Sequence, residues 1–153
     1  MTYPDADVAS FIAEHYVGLK INILDRHPDF KEASAGSRVI WAPTLIFADR
    51  RGELRRYVGW LPPQAFLAEL HMARGTAAFN SGQFADARGR FDTLLAQFPE
   101  APVAPEAMYW QGIAGFLAGD RDMDALRSSW ERLAAEHPNS RWGTHASVIE
   151  DAS

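Results

Sequence analysis

The sequence predicts an α/β unit followed by an all-α array of helical hairpins. Three patterns lead to this prediction. Before residue 60, short segments alternate apolar and polar side chains, which is typical of β-strands. After residue 62, apolar residues recur at the three- and four-residue spacing of helices. Part of this second region is then repeated at an offset of 37 to 39 residues, a period typical of stacked helical hairpins.

The composition is that of a folded chain without a strongly charged surface. The 153 residues are 47% apolar, and 20 acidic and 15 basic side chains give a net charge of -5. Because these charges are scattered, we predict neither a nucleic acid nor a membrane surface as partner. No stretch approaches the roughly 18 apolar residues of a membrane span, and no targeting segment is recognisable. We therefore expect a soluble, cytoplasmic protein.

The chain has no cysteine, which excludes a disulfide framework, a thiolate zinc site and a cysteine nucleophile. Its histidines are dispersed, and no Ser-His-Asp grouping is suggested by their spacing. His27 lies between Asp25 and Asp29, but one histidine without a second ligand rarely binds a metal, so a solvated turn is favoured. We predict no metal site, no cofactor and no catalytic residue in this chain.

The predicted α/β unit covers residues 1–61. Apolar residues at helical spacing after Asp7 predict a first helix that ends near His15. Strict alternation of apolar and polar side chains across residues 17–23 predicts a strand, because strand side chains point alternately to two faces. Residues 30–35 are predicted to form a brief helix.

A β-hairpin is predicted next. Residues 44–47 are rich in strand-forming side chains, and residues 53–58 would be the partner strand. Gly52 supplies the positive φ that the connecting loop needs. The proline pair at 62–63 then marks the start of a long helix that runs to Asn80, since proline in the first turn loses no internal hydrogen bond.

Residues 62–153 are predicted to form two helical hairpins and a capping helix, and the helix over residues 62–81 is shared with the α/β unit. Each copy of the repeat consists of a helix, a glycine-containing turn, a second helix and a proline. Small residues are expected where helices approach closely, at Gly75, Ala87 and Gly112. The predicted core aromatics are Phe79, Phe91, Phe116 and Trp130. Ser140 is expected to cap the last helix.

The repeat resembles the tetratricopeptide family. The matching positions of the first copy are Gly75, Phe79, Gly82, Gln83, Phe84, Ala87, Phe91 and Pro99, and those of the second are Gly112, Phe116, Gly119, Trp130, Leu133 and Pro138. Residues 98–112 look like a subgroup found in bacterial envelope and assembly factors. The second copy departs from the pattern at the turn over residues 119–123, which contains extra residues. The resemblance implies an array that binds a protein or peptide.

The first 70 residues resemble the later part of a thioredoxin. The resemblance consists of Trp41, Ala42, Pro43 and Thr44, followed by a hairpin, Gly59 and a closing helix. It implies a cis peptide bond before Pro43. The family's first strands and its Cys-x-x-Cys turn have no counterpart here, so the predicted fold class is an incomplete thioredoxin-like fold followed by a tetratricopeptide-like array.

The missing strand of that fold would lie between the strands predicted at residues 17–23 and 44–47, which leaves two unpaired edges. Exposed edges invite pairing with another chain. Three explanations stay open: the chain is a piece of a longer protein, the two strands pair directly, or a second copy fills the gap and gives a homodimer.

Two groups of residues are candidates for peptide binding. By resemblance, Trp41, Ala42, Pro43 and Thr44 form a loop that docks an extended peptide, and a merely structural turn is equally compatible with these residues. In the array, Tyr109, Trp110, Phe116, Trp130 and Trp142 are large rings of the kind that dominate interfaces, although such rings more often form a repeat core. Tyr109 and Trp110 are adjacent and point about 100° apart on a helix. At most one of them is expected to be fully buried, and the other is the better candidate for contact. Tyr109 and Trp110 are therefore the predicted peptide-binding residues of the array.

Two functions compete. The first is a protein- or peptide-binding module that is inactive in redox chemistry. The second is a thiol-disulfide oxidoreductase of the thioredoxin family, whose Cys-x-x-Cys would lie upstream of Met1. The first is favoured for this chain because it contains no cysteine.

Overall fold

The computed structural model describes residues 5–22, 27–33 and 39–149. This part of the chain is mostly helical and contains one two-stranded sheet. The chain divides into two compact units, Met1–Leu67 and Ala68–Ser153. No helix in the described ranges is long and apolar enough to cross a membrane.

Helix α1 (Ala6–His15) begins at a side-chain cap. Asp5 Oδ1 accepts hydrogen bonds from the N–H groups of Asp7 and Val8, each at 3.1 Å. These bonds satisfy two of the four N–H groups that a helix start leaves without partners. Val8 is fully buried. The helix predicted to end near His15 is therefore confirmed.

The prediction of a strand over residues 17–23 is wrong. Residues 16–22 have no regular secondary structure, and Ile23 lies outside the described residues. Val17 is fully exposed and Leu19 is 69% exposed, so the alternating apolar side chains do not face a core. A strand is stable only when a neighbouring strand pairs with its backbone. Alternation in the sequence does not supply that neighbour. Of the brief helix predicted next, the structure shows α2 (Phe30–Ala33).

The predicted β-hairpin forms the one sheet in the described part of the chain. Strands β1 (Thr44–Asp49) and β2 (Gly52–Val58) run antiparallel and are joined by a two-residue loop. Gly52 has a φ of +130°, a conformation that side chains with a Cβ rarely adopt. The N–H of Arg51 donates to Asp49 Oδ1 at 2.7 Å, which holds the loop.

A bulge interrupts the hairpin ladder near its loop. The ladder pairs Ala48 with Glu53 and resumes at Arg55. Leu54 is left without an opposite residue, and the extra residue shifts the alternation of faces along β2. Glu53 and Arg56 therefore lie on the same side and form an ion pair with an Nη2–Oε2 distance of 2.6 Å. The hydrogen bond to Glu53 raises the pKa of Arg56.

The first unit buries few large apolar side chains. Among its described residues the buried ones are Val8, Phe47, Leu61, Phe66 and Leu67. The ring centroid of Phe47 lies 6.4 Å from those of Tyr16 and Phe66. The exposed large apolar residues of this unit are Val17, Leu19, Ile40, Trp41, Val58 and Trp60. Much of its apolar surface therefore faces solvent.

Helix α3 (Pro63–Asn80) is continuous and begins directly after Pro62, as the proline pair predicts. Gly82, with a φ of +74°, follows its C-terminus. This left-handed residue turns the chain so that the N–H of Gln83 donates to the carbonyl of Ala78 at 3.0 Å. The same carbonyl also accepts from the N–H of Ser81 at 3.1 Å, and together the two bonds close the end of the helix.

The second unit continues as a series of packed helices. They are α4 (Phe84–Gln97), α5 (Ala104–Ala118), α6 (Met123–Glu136), α7 (Arg141–Ala146) and a 3-10 turn (Ser147–Ile149). Helix α5 packs against α4, α6 and α7, and α6 packs against α7. Ser140 Oγ accepts from the N–H of Gly143 at 2.8 Å, so the predicted cap of the last helix is confirmed.

Two glycines allow neighbouring helices to approach closely. A Cβ added to Gly75 would collide with the ring of Phe91 on α4. A Cβ on Gly112 would lie 3.0 Å from Ser129 Cβ and from Trp130 Cδ1 on α6. Both glycines occupy the same place in the repeat, so the close contacts predicted at these two positions are confirmed.

The predicted core aromatics are only partly enclosed. Phe91 is 1% exposed and Trp130 is 9% exposed, which confirms these two. Phe79 and Phe116 are half-buried. Phe79 packs against the core cluster and so belongs to its margin, whereas the assignment of Phe116 to the core is not confirmed. Each lies in the last turn of its helix, where fewer neighbouring side chains surround a large ring.

The two turns of the repeat differ in which residue is left-handed. In the second turn this residue is Asp120, with a φ of +52°, and Arg121 follows at +69°. The N–H of Arg121 donates to the carbonyl of Phe116 at 2.8 Å. Asp120 therefore takes the structural place of Gly82, although the sequence repeat aligns Gly82 with Gly119. The inserted residues of this turn explain the difference.

Candidate functional site

The predicted loop of Trp41, Ala42, Pro43 and Thr44 lies in the first unit, at the start of β1. Thr44 Oγ1 donates to the carbonyl of Trp41 at 2.6 Å, and the N–H of Gly59 donates to the carbonyl of Pro43 at 2.9 Å. The Ala42–Pro43 peptide bond is cis, as the thioredoxin resemblance implies. The Trp41 side chain is 66% exposed. The loop is thus tied to the hairpin and presents Trp41 to solvent.

The other predicted pair, Tyr109 and Trp110, lies on α5 in the second unit. Both residues are half-buried, which agrees with the expectation that at most one is fully enclosed. Their rings are nearly perpendicular, with centroids 5.6 Å apart. The two predicted groups of binding residues therefore belong to different units.

Tyr109 and Trp110 are part of a larger aromatic cluster that four helices build together. We call this cluster the aromatic face, and its residues are Phe79, Tyr109, Trp110, Trp130, Trp142 and His145. Helices α3 and α6 contribute one ring each, and α5 and α7 contribute two each. All of them lie in the second unit.

Tyr109 is at the centre of the aromatic face. Its ring is stacked on that of Trp130, with centroids 4.7 Å apart and planes 13° apart. The indole N–H of Trp130 donates to the Tyr109 carbonyl at 3.1 Å. This bond satisfies the polar atom of an almost fully buried ring. Trp130 is therefore held in place and supports the more exposed rings of the aromatic face from below.

Trp110 and Trp142 extend the aromatic face to either side of Tyr109. The Trp110 ring lies 5.2 Å from that of Phe79 and 6.2 Å from that of Trp142. Trp142 in turn lies 5.0 Å from Tyr109 and 5.7 Å from His145. These separations are those of offset and edge-to-face aromatic pairs. The rings therefore hold one another in fixed orientations and form a continuous surface.

The polar tips of this surface are open to solvent. Among the described residues, the Tyr109 hydroxyl and the indole N–H groups of Trp110 and Trp142 have no protein hydrogen-bond partner, and no side-chain nitrogen or oxygen is both buried and unpaired. It follows that these three donors contact solvent. The aromatic face thus combines half-buried apolar rings with three available hydrogen-bond donors.

A cation lies at one edge of the aromatic face. The guanidinium carbon of Arg141 is 5.2 Å from the centroid of the Trp142 ring, within the range of a cation–π contact. Arg141 is exposed, so its charge is available to a ligand on the same edge.

Metal ligands are not grouped in the part of the chain that the structure describes. Within residues 5–22, 27–33 and 39–149, no three His, Cys, Asp or Glu side chains lie close enough to hold a metal ion. His27 and Asp29 are exposed, with His27 Nδ1 3.7 Å from the Asp29 carboxylate. Asp25 lies outside the described residues.

The sequence predicts the centre of the aromatic face but not its margins. It offers Trp142 only as one of several rings that could line a groove, it assigns Phe79 to the core, and it gives His145 no part in binding. Trp142 and His145 are three residues apart, a spacing that places two side chains on one side of a helix. That spacing was the available signal. Which neighbour they would meet depends on helix packing and is not visible in a local pattern.

A comparison with protein families found one similarity, which lies in the helical array. A family model described as tetratricopeptide repeat matches residues 72–140. The match begins within α3 and spans α4, α5 and α6. Searches of curated proteins and of solved structures gave no match. The helical array is thus similar to tetratricopeptide repeats, which commonly mediate protein–protein interaction.

Proposed function

We propose that the chain is a protein-binding module whose aromatic face contacts a segment of a partner protein. The observation that supports this most directly is the set of three solvent-facing donors on Tyr109, Trp110 and Trp142. Large rings with a polar tip are enriched among the residues that dominate binding energy. Because neighbouring rings already fix their orientation, little side-chain entropy is lost when a partner binds.

The geometry suits a partner segment that presents both apolar side chains and backbone carbonyls. The half-buried rings offer apolar contact area, and the hydroxyl and indole donors match carbonyl acceptors. Trp130 is enclosed and hydrogen-bonded within the chain, so it supports the face without contacting the partner. Trp110 and Trp142 are the expected contact residues.

A selection from displayed random peptides tests the proposal. Peptides selected on the full chain would be measured for their Kd on the wild type and on the Trp110→Ala and Trp142→Ala variants. We expect each variant to weaken binding about tenfold or more, because each removes a large ring from the contact surface. Met123→Ala is the matched control, since Met123 is an exposed apolar residue of α6 outside the aromatic face. Selected peptides that bind all variants equally would contradict the proposal.

We further propose that the first unit is thioredoxin-like and provides a second contact for a peptide. It is supported by the order of elements: an exposed loop at Trp41, a hairpin, Gly59 and a helix that begins at Pro63. Because the chain has no cysteine, we assign the loop no dithiol chemistry. Peptides selected on the Trp110→Ala variant, in which the aromatic face is impaired, should lose binding when Trp41→Ala is added. Unchanged binding would remove the loop from the proposal.

Association of two copies through the first unit is a second candidate. Six of the nine exposed large apolar residues in the described part of the chain lie there. Residues 1–67 contain eight basic and eight acidic side chains, whereas residues 68–153 contain seven and twelve and hold the whole net charge of -5. Two copies therefore meet no net repulsion at the first unit.

Sedimentation across a wide concentration range tests this association. We expect the wild type to shift toward a dimer with concentration and the Val58→Thr, Trp60→Ser double variant to stay monomeric. Both residues are exposed apolar side chains at the end of the hairpin. A wild type that sediments as a monomer at every concentration would contradict the dimer.

A further inference from the structure

The polar atoms of the aromatic face are mostly hydrogen-bond donors. An indole nitrogen can donate but cannot accept, so Trp110 and Trp142 each bring a donor and no acceptor to the surface. The Tyr109 hydroxyl, which also has no protein partner among the described residues, can both donate and accept. His145 at the margin adds one acceptor nitrogen when its ring is neutral. A segment that covers this surface must therefore provide several acceptors.

An ordinary extended segment would also bring N–H groups for which this surface has few acceptors. Each of its residues has one backbone N–H and one carbonyl, and an N–H that is covered without a partner is unfavourable. The carbonyls of the helices that carry the rings already accept bonds within those helices. Proline has a backbone carbonyl but no N–H. A run of prolines therefore offers acceptors alone.

Three common ways of binding a peptide segment make different demands on the surface. Addition of a strand needs an unpaired sheet edge, but the aromatic face is built from helices, and the sheet in the described residues lies in the first unit. An amphipathic helix brings carbonyls that are already bonded within that helix. A polyproline II helix has no internal hydrogen bonds, so all of its carbonyls are free. Of the three, this conformation best matches a surface of rings and donors.

The spacing of the rings suits a short proline segment. The Trp110 ring lies 5.2 Å from that of Phe79 and 6.2 Å from that of Trp142. Because a polyproline II helix rises about 3.1 Å per residue, about four residues are enough to span these three rings. All three are half-buried, so each keeps an open apolar part against which a proline ring can pack. Both surfaces are fixed before they meet, so little conformational entropy is lost on binding.

We propose that the segment bound by the aromatic face is proline-rich and has the polyproline II conformation. This inference rests on the proposed function, because it names the class of segment that the same surface takes. Proline rings pack on the aromatic rings, and backbone carbonyls accept from the Tyr109 hydroxyl and from the indole N–H groups of Trp110 and Trp142. Neither contact needs a charged partner, so the net charge of -5 on residues 68–153 does not oppose it.

Fluorescence anisotropy with labelled decaproline tests the proposal on the full chain. The comparison peptide is a labelled decaproline of alternating L- and D-residues, which has the same composition and also lacks backbone N–H groups. It cannot form a polyproline II helix, because the ring of D-proline fixes φ at the opposite sign. We expect the all-L peptide to bind, and the alternating peptide to bind about tenfold more weakly or not at all.

Tyr109→Phe tests the hydrogen bond separately from the ring. The variant keeps the stacked ring and removes a hydroxyl that no described protein group bonds, so its melting temperature should equal that of the wild type. Loss of one hydrogen bond to a carbonyl should weaken decaproline binding about threefold to tenfold. Tyr57→Phe is the matched control, since Tyr57 lies on β2 in the first unit. It should change the Kd less than about twofold.

The outcomes separate this inference from the proposed function. Absent decaproline binding, equal Kd values for the two peptides, or equal losses in Tyr109→Phe and Tyr57→Phe would overturn the inference. The proposed function survives these results if peptides selected from a random library still lose binding on Trp110→Ala. Decaproline that binds the wild type and Trp110→Ala equally would also overturn the inference, because its binding would then lie outside the aromatic face.

Discussion

At the scale of single residues, the missing Cβ of glycine has opposite meanings at two positions of the array. Gly75 allows the Phe91 ring to pack directly against the α3 backbone. Gly89 has open space where its side chain would be. The sequence repeat predicts the first, because Gly112 recurs at the same position. The second has no counterpart in the repeat, and its surroundings become visible only in the structure.

Replacement by alanine should therefore lower the stability of the fold at Gly75 and raise it at Gly89. Gly75→Ala should lower the free energy of unfolding by about 1 to 3 kcal/mol, because Phe91 has to move from its packed position. Gly89→Ala should raise it by up to about 1 kcal/mol through the higher helix propensity of alanine. Urea unfolding of both variants measures this. A change of the same sign in both would contradict the packing described here.

Trp130 belongs both to the core of the array and to the aromatic face. Trp130→Ala should lower the free energy of unfolding by about 3 to 5 kcal/mol, because it empties a buried site. It also removes the hydrogen bond that the Trp130 indole donates to the Tyr109 carbonyl. Met123→Ala, at an exposed position of α6, should lower it by less than about 0.5 kcal/mol. A loss below about 1 kcal/mol for Trp130→Ala would show that the repeat alignment is wrong.

At the scale of elements, signals within a few residues predict the helices and the hairpin correctly. The strand predicted at residues 17–23 does not form, because a strand needs a distant segment of the chain to pair with. Some residues act only on the few residues around them, so their effect can be predicted from the sequence. Examples are the proline pair at 62–63, Gly52 and Ser140. The strand expected at residues 17–23 needed a partner from elsewhere in the chain. Alternating side chains record which faces a strand would have, but not whether a neighbour exists to pair with it.

The turn between α5 and α6 contains two aspartates with different roles. Asp120 is left-handed, a conformation that glycine adopts without steric penalty. Asp122 Oδ1 accepts from the N–H of Asp124 at 3.0 Å and caps α6. The sequence shows two aspartates in one loop. Their different roles become apparent only from the backbone geometry.

Substitution of these aspartates should separate the two roles. Asp120→Gly should raise the free energy of unfolding by about 0.5 to 1 kcal/mol, because it relieves the left-handed conformation. Asp122→Ala should lower it by about 1 kcal/mol, because the helix loses its N-cap. Thermal unfolding of the two variants gives both values. Destabilisation by Asp120→Gly would contradict the turn geometry.

At the scale of the whole molecule, charge and apolar exposure are divided between the two units. The first unit has no net charge and most of the exposed large apolar residues, and the second has the net charge of -5. The sequence predicted the array and the residues Tyr109 and Trp110. It did not predict that rings from four helices meet around them, because that depends on how each hairpin stacks on the next.

Hydrogen–deuterium exchange of the full chain, with and without a selected peptide, tests the central claim most directly. If the aromatic face binds the partner, backbone amides of α5 and α7 should exchange more slowly in the complex, because both helices contribute contact residues. Exchange in β1 and β2 should be unchanged for a peptide whose binding Trp110→Ala abolishes. Protection confined to helices other than α5 and α7, with these two unaffected, would contradict the claim.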